Sequence, residues 1–156
     1  MDILIKPFPY LLSSRKDIAD LCSLDMDIYG LGLHWEEKNF TSELSLKNEL
    51  SFCAYDGNKL IGYIICSSYF MNEELIAHIN RIAISKQFKN KNIGRSLVAS
   101  FEMAAQKHGI KKITLEFDQK LKVEQFYEKL GYKQMLDKKL VLNYLKNKSK
   151  LSKIDL

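Results

Sequence analysis

The stretch that decides the fold is "QFKNKNIGRSLVASF", which runs from Gln87 to Phe101. A basic, asparagine-rich loop leads here directly into a segment with apolar residues at helical spacing. The first turn of a helix has free backbone N–H groups and the positive end of the helix dipole, so basic side chains beside it complete a site for phosphate. The stretch therefore predicts either a phosphate-binding loop or a solvated basic turn.

Three residues of this loop bear on that choice. Asn90 and Asn92 are of the non-glycine type that best tolerates a left-handed backbone, and such a backbone can form a nest of amides. Gly94 would let the backbone come close to a ligand. The loop has neither the Gly-Lys-Ser/Thr of a Walker loop nor the G-x-G-x-x-G of a dinucleotide-binding turn. Taken alone, it is better explained as a solvated turn.

The segments on both sides of this stretch alternate between strand and helix patterns. A strong hairpin signal lies at Asp56-Gly57. In chain order we predict a strand at 2–8, helices at 13–30 and 34–46, a hairpin at 50–70, a strand at 74–85, a helix at 93–108, a strand at 111–117, a helix at 123–130 and a final hairpin at 132–136 and 139–145. This order predicts a mixed α/β (α+β) fold of about seven strands and about four helices.

Composition limits the class of protein. The chain has 156 residues, of which 46% are hydrophobic and 28% charged, as expected for one globular domain. We place that domain at 1–147 and a basic, solvated tail at 148–156. The three cysteines have no spacing typical of a disulfide framework or a metal site. Neither a signal peptide nor an apolar run of membrane-spanning length is present, so we expect a cytoplasmic protein without a membrane partner.

Two motifs resemble those of a known family. "RIAISKQFKNKNIGRSLV" (Arg81–Val98) resembles the acetyl-CoA signature of the GNAT superfamily of N-acetyltransferases, in which a strand and a short arm precede Arg/Gln-x-x-Gly-x-Gly/Ala. Here Lys89 replaces the Arg or Gln, and Asn92 replaces the first Gly. "VEQFYEKLGYKQM" (Val123–Met135) is similar to the family's aromatic pair followed by Leu-Gly-Phe/Tyr. The upstream segments resemble the branch that acetylates protein N-termini, such as the ribosomal-protein alanine acetyltransferases.

The resemblance implies the GNAT fold and direct transfer of an acetyl group from acetyl-CoA to a primary amine, without a metal. The amine could belong to a protein N-terminus, a lysine or a small molecule. Alternatives are a toxin-like acetyltransferase of aminoacyl-tRNA and a non-catalytic acyl-CoA-binding module. The net charge of +5 is too modest to indicate a nucleic-acid partner, and basic and aromatic residues are not interleaved. The sequence does not decide which amine is the acceptor or whether the protein forms a homodimer.

The resemblance also implies roles for individual residues. Tyr127 would protonate the departing thiolate, although its helical spacing also suits a core aromatic. Glu116 and His78 are rival candidates for the general base. The residues that the resemblance assigns to acetyl-CoA are Ile82, Ala83 and Ile84 through their backbone, Lys89, Asn90, Lys91, Asn92, Ile93, Gly94, Arg95 and Ser96 of the basic stretch, and Lys120 and Tyr127. Trp35 would shape the acceptor groove or anchor the second helix.

Overall fold

The computed structural model describes residues 2–8, 15–45, 49–118, 124–134 and 148–154. The elements in chain order are β1 (Ile3–Pro7), α1 (Arg15–Tyr29), α2 (Glu37–Ser45), β2 (Phe52–Asp56), β3 (Lys59–Met71), β4 (Glu74–Ile84), α3 (Ile93–Lys107), β5 (Lys112–Asp118), α4 (Glu124–Lys129), β6 (Lys133–Gln134) and β7 (Lys148–Ile154). A short 3-10 turn covers Lys86–Phe88. This mixture of elements confirms the predicted α/β class. Each helix in these ranges is too short or too polar to cross a lipid bilayer.

One seven-stranded sheet has the order β1-β2-β3-β4-β5-β7-β6. The strands from β1 to β4 form an antiparallel meander, and the predicted hairpin at Asp56-Gly57 is present, with Gly57 at φ 58°. The pair β4–β5 is parallel, and α3 makes the crossover between these two strands. The sheet is therefore mixed, and its parallel pair lies beside the basic stretch that opens α3.

The parallel pair is incomplete. Among the described residues, β4 pairs with β5 only over Ile76–Ile79, whereas β4 itself continues to Ile84. The pairing of β4 with β3 shifts at the same level, because Ile65 lies opposite Arg81 and Cys66 opposite Ile79, which leaves Asn80 as a bulge. Beyond this bulge the two strands form the β4–β5 gap, between 80–84 of β4 and 116–118 of β5. Clefts at the carboxyl ends of parallel strands are common ligand sites.

Two apolar cores cover the two faces of the sheet. On one face α3 buries Leu97, Val98 and Phe101 completely or nearly so, in a cluster that also includes Tyr127 of α4. On the other face α1 and α2 form the second cluster, with the fully buried Phe40 among its members. Each such side chain contributes about 1.5–3 kcal/mol through burial. The α3 and α4 helices are thereby packed on one face of the sheet, and α1 and α2 on the other.

The C-terminal segment differs from the prediction. Residues 148–154, expected to be a basic solvated tail, form β7, which pairs antiparallel with both β5 and β6. In the register, Lys150 lies opposite Glu116 and Lys148 opposite Asp118. The pairing with β5 extends over seven residues of each strand, so the segment is part of the sheet. The predicted strand at 139–145 lies outside the described residues.

Candidate active site

The basic loop (residues 85–92) connects β4 to α3 and has the backbone of an anion nest. Asn90 and Asn92 have φ values of 63° and 62°, so the predicted left-handed conformations are confirmed. The N–H of Ser96 donates to the carbonyl of Asn92 over 3.0 Å, as the first turn of α3 requires. The N–H groups of Ile93, Gly94 and Arg95 precede that bond, so helix geometry gives them no acceptor within α3. They supply the donors that a phosphate group needs.

The side chains of the loop supply positive charge. Lys89, Lys91 and Arg95 are all exposed around the start of α3. The Lys91 ammonium lies 5.3 Å from the centroid of the Phe88 ring, which is itself buried beneath the loop. Ile93 is buried in the α3 core, so it can offer a ligand only its backbone. These residues fit the diphosphate of an acetyl-CoA molecule, whose binding by them stays a prediction.

Gly94 has a packing role that the sequence did not predict. A Cβ atom on Gly94 would lie 3.2 Å from Cζ of Phe126 and 3.8 Å from Cγ1 of Ile84. Contacts of 3.2 Å are tighter than most real Cβ contacts, so the glycine lets the Phe126 ring of α4 lie against the start of α3. The close approach is therefore to another helix of the protein. This contact between Gly94 and Phe126 brings together the two sequence motifs, the basic stretch that opens α3 and the aromatic pair of α4.

Tyr127 is a buried residue of α4. Its side chain is 3% exposed and lies between the rings of Phe126 and Tyr132, at centroid distances of 5.0 and 5.6 Å. Burial raises the pKa of its hydroxyl well above the ordinary value, and the nearby hydroxyl of Tyr29 adds to this effect. The structure thus gives Tyr127 a place in the core. Because the phenol keeps its proton, the same burial is compatible with the predicted role of proton donor.

One carbonyl of the β4 segment that borders the gap already accepts a hydrogen bond from within the protein. The hydroxyl of Tyr29, in the last turn of α1, donates a 2.6 Å hydrogen bond to the carbonyl of Ile82. Ala83 is buried, whereas Ile82 and Ile84 are half-buried. A ligand that added to this strand through main-chain hydrogen bonds would therefore meet a carbonyl that α1 also uses.

The two candidate bases occupy different positions relative to the gap. His78 belongs to the paired part of β4, and its Nδ1 lies 2.6 Å from Oγ1 of Thr114 on β5. The Tyr69 hydroxyl lies 3.2 Å from the same oxygen, so His78 is part of a hydrogen-bonded network. Glu116 is half-buried and is the first residue of β5 beyond the last pair with β4. Glu116 therefore borders the gap directly, and His78 lies just before it.

A buried ion pair that the sequence did not predict joins α1 to β4 on the face of the sheet that α1 covers. Asp25 of α1 is 0% exposed and accepts hydrogen bonds from Nε and Nη2 of Arg81 over 2.8 and 2.9 Å. The Tyr63 hydroxyl and the backbone N–H of Trp35 also donate to this carboxylate. A buried carboxylate needs such partners to offset its desolvation. Asp25 follows Leu21 by one helical turn on the buried stripe of α1, which is the signal that could have revealed it.

Arg81 also fixes the α1–α2 loop (residues 30–36) to β4. Its guanidinium group lies 3.7 Å from the centroid of Tyr29 and 5.0 Å from that of Trp35, and Nη2 donates to the carbonyl of Leu33 over 2.8 Å. Trp35 packs edge-on against Phe40 of α2 at 5.2 Å, which supports its predicted role as an anchor for that helix. In the same loop, the side chains of Leu31 and Leu33 are 86% and 67% exposed. Lys120, the remaining predicted contact to acetyl-CoA, lies outside the described residues.

Comparisons with known proteins agree with this architecture. No curated protein sequence matches the chain. The NatC complex bound to Gag peptide and CoA contains a similar chain, with 23% identity, coverage of 100% of this chain and 99% of that chain, and a TM-score of 0.80. Ard1 from Thermoplasma volcanium has 18% identity, coverage of 100% and 99%, and a TM-score of 0.81. The ribosomal-protein-S18-alanine N-acetyltransferase from Escherichia coli has 16% identity, coverage of 99% and 95%, and a TM-score of 0.71.

These structures share the fold of this chain. The sequence model of the acetyltransferase (GNAT) family matches residues 18–132, which is most of the chain. Both findings confirm the family and the fold class that the two sequence motifs predicted, and the chain belongs to the acetyltransferase (GNAT) family of enzymes.

Proposed function

We propose that this acetyltransferase transfers the acetyl group of acetyl-CoA to the α-amino group of a polypeptide. The observation that carries the proposal is the arrangement around the β4–β5 gap. The basic loop lies at the carboxyl end of β4, and the α1–α2 loop, with its exposed leucines, is bonded to the same strand through Arg81. The strand β4, which borders the gap, is thus connected both to the basic loop and to the loop with the exposed leucines, and this supports a phosphate-containing and an apolar ligand at one gap.

Acetyl-CoA would supply an activated thioester to this gap. The free amides at the start of α3, with Lys89, Lys91 and Arg95, would hold its phosphates. The β4 segment from Asn80 to Ile84 would align the rest of the molecule through main-chain hydrogen bonds, as an added strand does. The CoA in the NatC structure, which has the same fold, supports this choice of co-substrate.

A polypeptide acceptor suits the α1–α2 loop. Leu31 and Leu33 are exposed apolar side chains on a loop that Arg81 bonds to β4 at the carbonyl of Leu33, so they form an apolar surface beside that strand. Such a surface would bind the first apolar side chains of a peptide and leave its amino group at the gap. The peptide in the NatC structure and the name of the Escherichia coli enzyme support a protein N-terminus as the acceptor.

The proton transfers would fall to residues on both strands and on α4. Glu116, at the border of the gap, or His78, held by Thr114, would accept the proton of the ammonium group. Tyr127, which keeps its proton because of burial, would donate to the departing sulfur. The positions of these residues support the assignment.

The test is acetyl transfer to a matched set of acceptors, measured by mass spectrometry. The set contains short peptides with a free N-terminus and apolar, polar or acidic first residues, the same peptides with a blocked N-terminus and an internal lysine, a polyamine, and aminoacyl-tRNA. We expect transfer to free N-termini, fastest where the first residues are apolar. Transfer only to lysine, polyamine or tRNA would contradict the proposal. Binding of acetyl-CoA without transfer to any acceptor would instead support the non-catalytic module.

A further inference from the structure

Glu43 of α2 has a carboxylate oxygen that the fold leaves without a partner. Within the described ranges, two buried side-chain atoms have no hydrogen-bond partner, Oε2 of Glu43 and Nδ1 of His34. Both belong to the helix and loop that cover the α1 side of the sheet near Arg81. Buried polar groups are rarely left unpaired, so each exception requires an explanation, such as a role in catalysis or a bound water or ion. The two atoms therefore point to a group that joins this region from outside.

The other contacts of Glu43 fix its place in the fold. Its side chain is hydrogen-bonded to that of Asn80, the bulge residue at which the pairing of β4 with β5 ends. Asn80 is in turn held by Ser67 of β3, because Nδ2 of Asn80 donates to Oγ of Ser67 over 3.0 Å and Oγ donates back to Oδ1 over 3.3 Å. This chain of polar side chains places the Glu43 carboxylate beside Asn80, which is the β4 residue at the closed end of the β4–β5 gap. Glu116 borders the same end from β5.

The properties of the Glu43 carboxylate indicate which chemical group would pair with Oε2. Burial raises the pKa of Glu43, and the hydrogen bond from Asn80 lowers it by a smaller amount. A half-buried carboxylate with one unpaired oxygen is stabilised most by a cation that also donates hydrogen bonds. An ammonium group has both properties, whereas a thioester or a phosphate has neither.

We propose that Glu43 binds the ammonium group of the acceptor through Oε2 and holds it at the closed end of the β4–β5 gap. The inference rests on the proposed amine acceptor and names the residue that recognises it. The ammonium forms a charge-assisted hydrogen bond to Glu43 before its proton passes to the base. Asn80 and Ser67 are positioning residues, because they hold the carboxylate and touch no substrate.

The first test separates recognition of the acceptor from a structural role. Glu43→Gln keeps the shape and the hydrogen bond to Asn80 but removes the charge. Glu37→Gln, an exposed position at the start of the same helix, is the matched control. We expect the KM for the amine acceptor to rise about tenfold to a hundredfold in Glu43→Gln, as for the loss of a charge-assisted hydrogen bond. The KM for acetyl-CoA should stay unchanged, and Glu43→Asp should restore part of the affinity.

The second test asks whether Glu43 recognises the charge. A peptide with an N-terminal hydroxyl in place of the amino group is compared with the parent peptide as a ligand of the CoA-bound protein, by calorimetry. The wild-type protein should prefer the amine, and Glu43→Gln should lose that preference. The acceptor KM of the wild type should also rise as the pH falls and Glu43 becomes protonated. This rise should begin at a higher pH than for an ordinary glutamate, because its pKa is raised.

The outcomes distinguish this inference from the proposed function. If the wild type acetylates free N-termini and Glu43→Gln has the acceptor KM of Glu37→Gln, the inference is overturned and the function stands. If the wild type acetylates only a small amine, the polypeptide acceptor is wrong, and the same variants test Glu43 with that amine. A loss of stability in Glu43→Gln with an unchanged preference for the amine would assign the residue a structural role.

Discussion

The basic loop follows the end of β4, the Asp25 cluster (Asp25, Tyr63 and Arg81) includes a residue of the same strand, and the two are built in opposite ways. The loop uses backbone amides and exposed cations from one short stretch of sequence. The cluster uses buried side chains from α1, β3 and β4, which are far apart in the sequence. A site for a phosphate needs only local conformation and charge, whereas the framework for an acceptor needs long-range packing. Changes in the loop should therefore alter binding, and changes in the cluster should alter stability.

The largest effect is expected from Asp25→Asn. The substitution leaves the Arg81 guanidinium, with 14% of its side chain exposed, without its counter-charge. Loss of one partner of a buried ion pair should lower the free energy of unfolding by about 3–5 kcal/mol. Urea denaturation followed by circular dichroism measures this change, and Asp27→Asn, exposed on the same helix, is the control. Equal stability of the two variants would mean that the ion pair contributes nothing to the fold.

Tyr127→Phe should have the next largest effect, on turnover. If the hydroxyl donates a proton to the departing sulfur, its removal should lower kcat by about a hundredfold or more and leave the affinity for acetyl-CoA nearly unchanged. Tyr132→Phe is the matched control, since Tyr132 is equally buried and its hydroxyl donates to Glu102 over 3.1 Å. Steady-state kinetics would reject the catalytic role if both variants had the turnover of the wild type.

Arg95→Glu should affect binding without affecting the fold. The side chain is exposed at the start of α3, where a negative charge would oppose a bound phosphate. We expect the Kd for acetyl-CoA to rise about tenfold, more at low salt than at high salt. Lys107→Glu makes the same charge change at the other end of α3. If calorimetric titration gave Arg95→Glu and Lys107→Glu the same affinity for acetyl-CoA, the basic loop would not be the phosphate site.

Leu31→Gln should have the smallest and most selective effect. Because Leu31 is 86% exposed, its replacement should change the free energy of unfolding by less than about 0.5 kcal/mol. The KM for peptides with apolar first residues should rise by about threefold to tenfold, as expected for the loss of one apolar contact. Met103→Gln, which alters another exposed apolar side chain on α3, should leave all values unchanged. A uniform change for polar and apolar peptides would argue against an apolar acceptor surface.

The difference between the two regions also explains what the sequence could predict. The left-handed backbones of Asn90 and Asn92, the turn at Asp56-Gly57 and the order of strands and helices from β1 to β6 follow from local preferences, and all were predicted correctly. The β4–β5 gap depends on the bulge at Asn80, which has no signal of its own in one sequence.

The errors and omissions have long-range causes. Residues 148–154 were predicted to be solvated because of their lysines, but their backbone pairs with β5 from Lys112 to Asp118, which is distant in the sequence. Gly94 was explained by a ligand, whereas its neighbour is Phe126 of another helix. Glu43 was not singled out at all, because a glutamate on a short amphipathic helix is most often solvated. Its bond to Asn80 and its buried, unpaired Oε2 distinguish it in the structure.

The place of β7 has a consequence for synthesis of the chain. Because β7 lies between β5 and β6, the two strands before it in the chain have no direct contact in the sheet order. Before residues 148–154 are synthesised, β4 is the only partner of β5 among the described strands, and the other edge of β5 is open to wrong partners. The border of the gap that carries Glu116 is therefore complete only after residues 148–154 have been synthesised and have paired with β5.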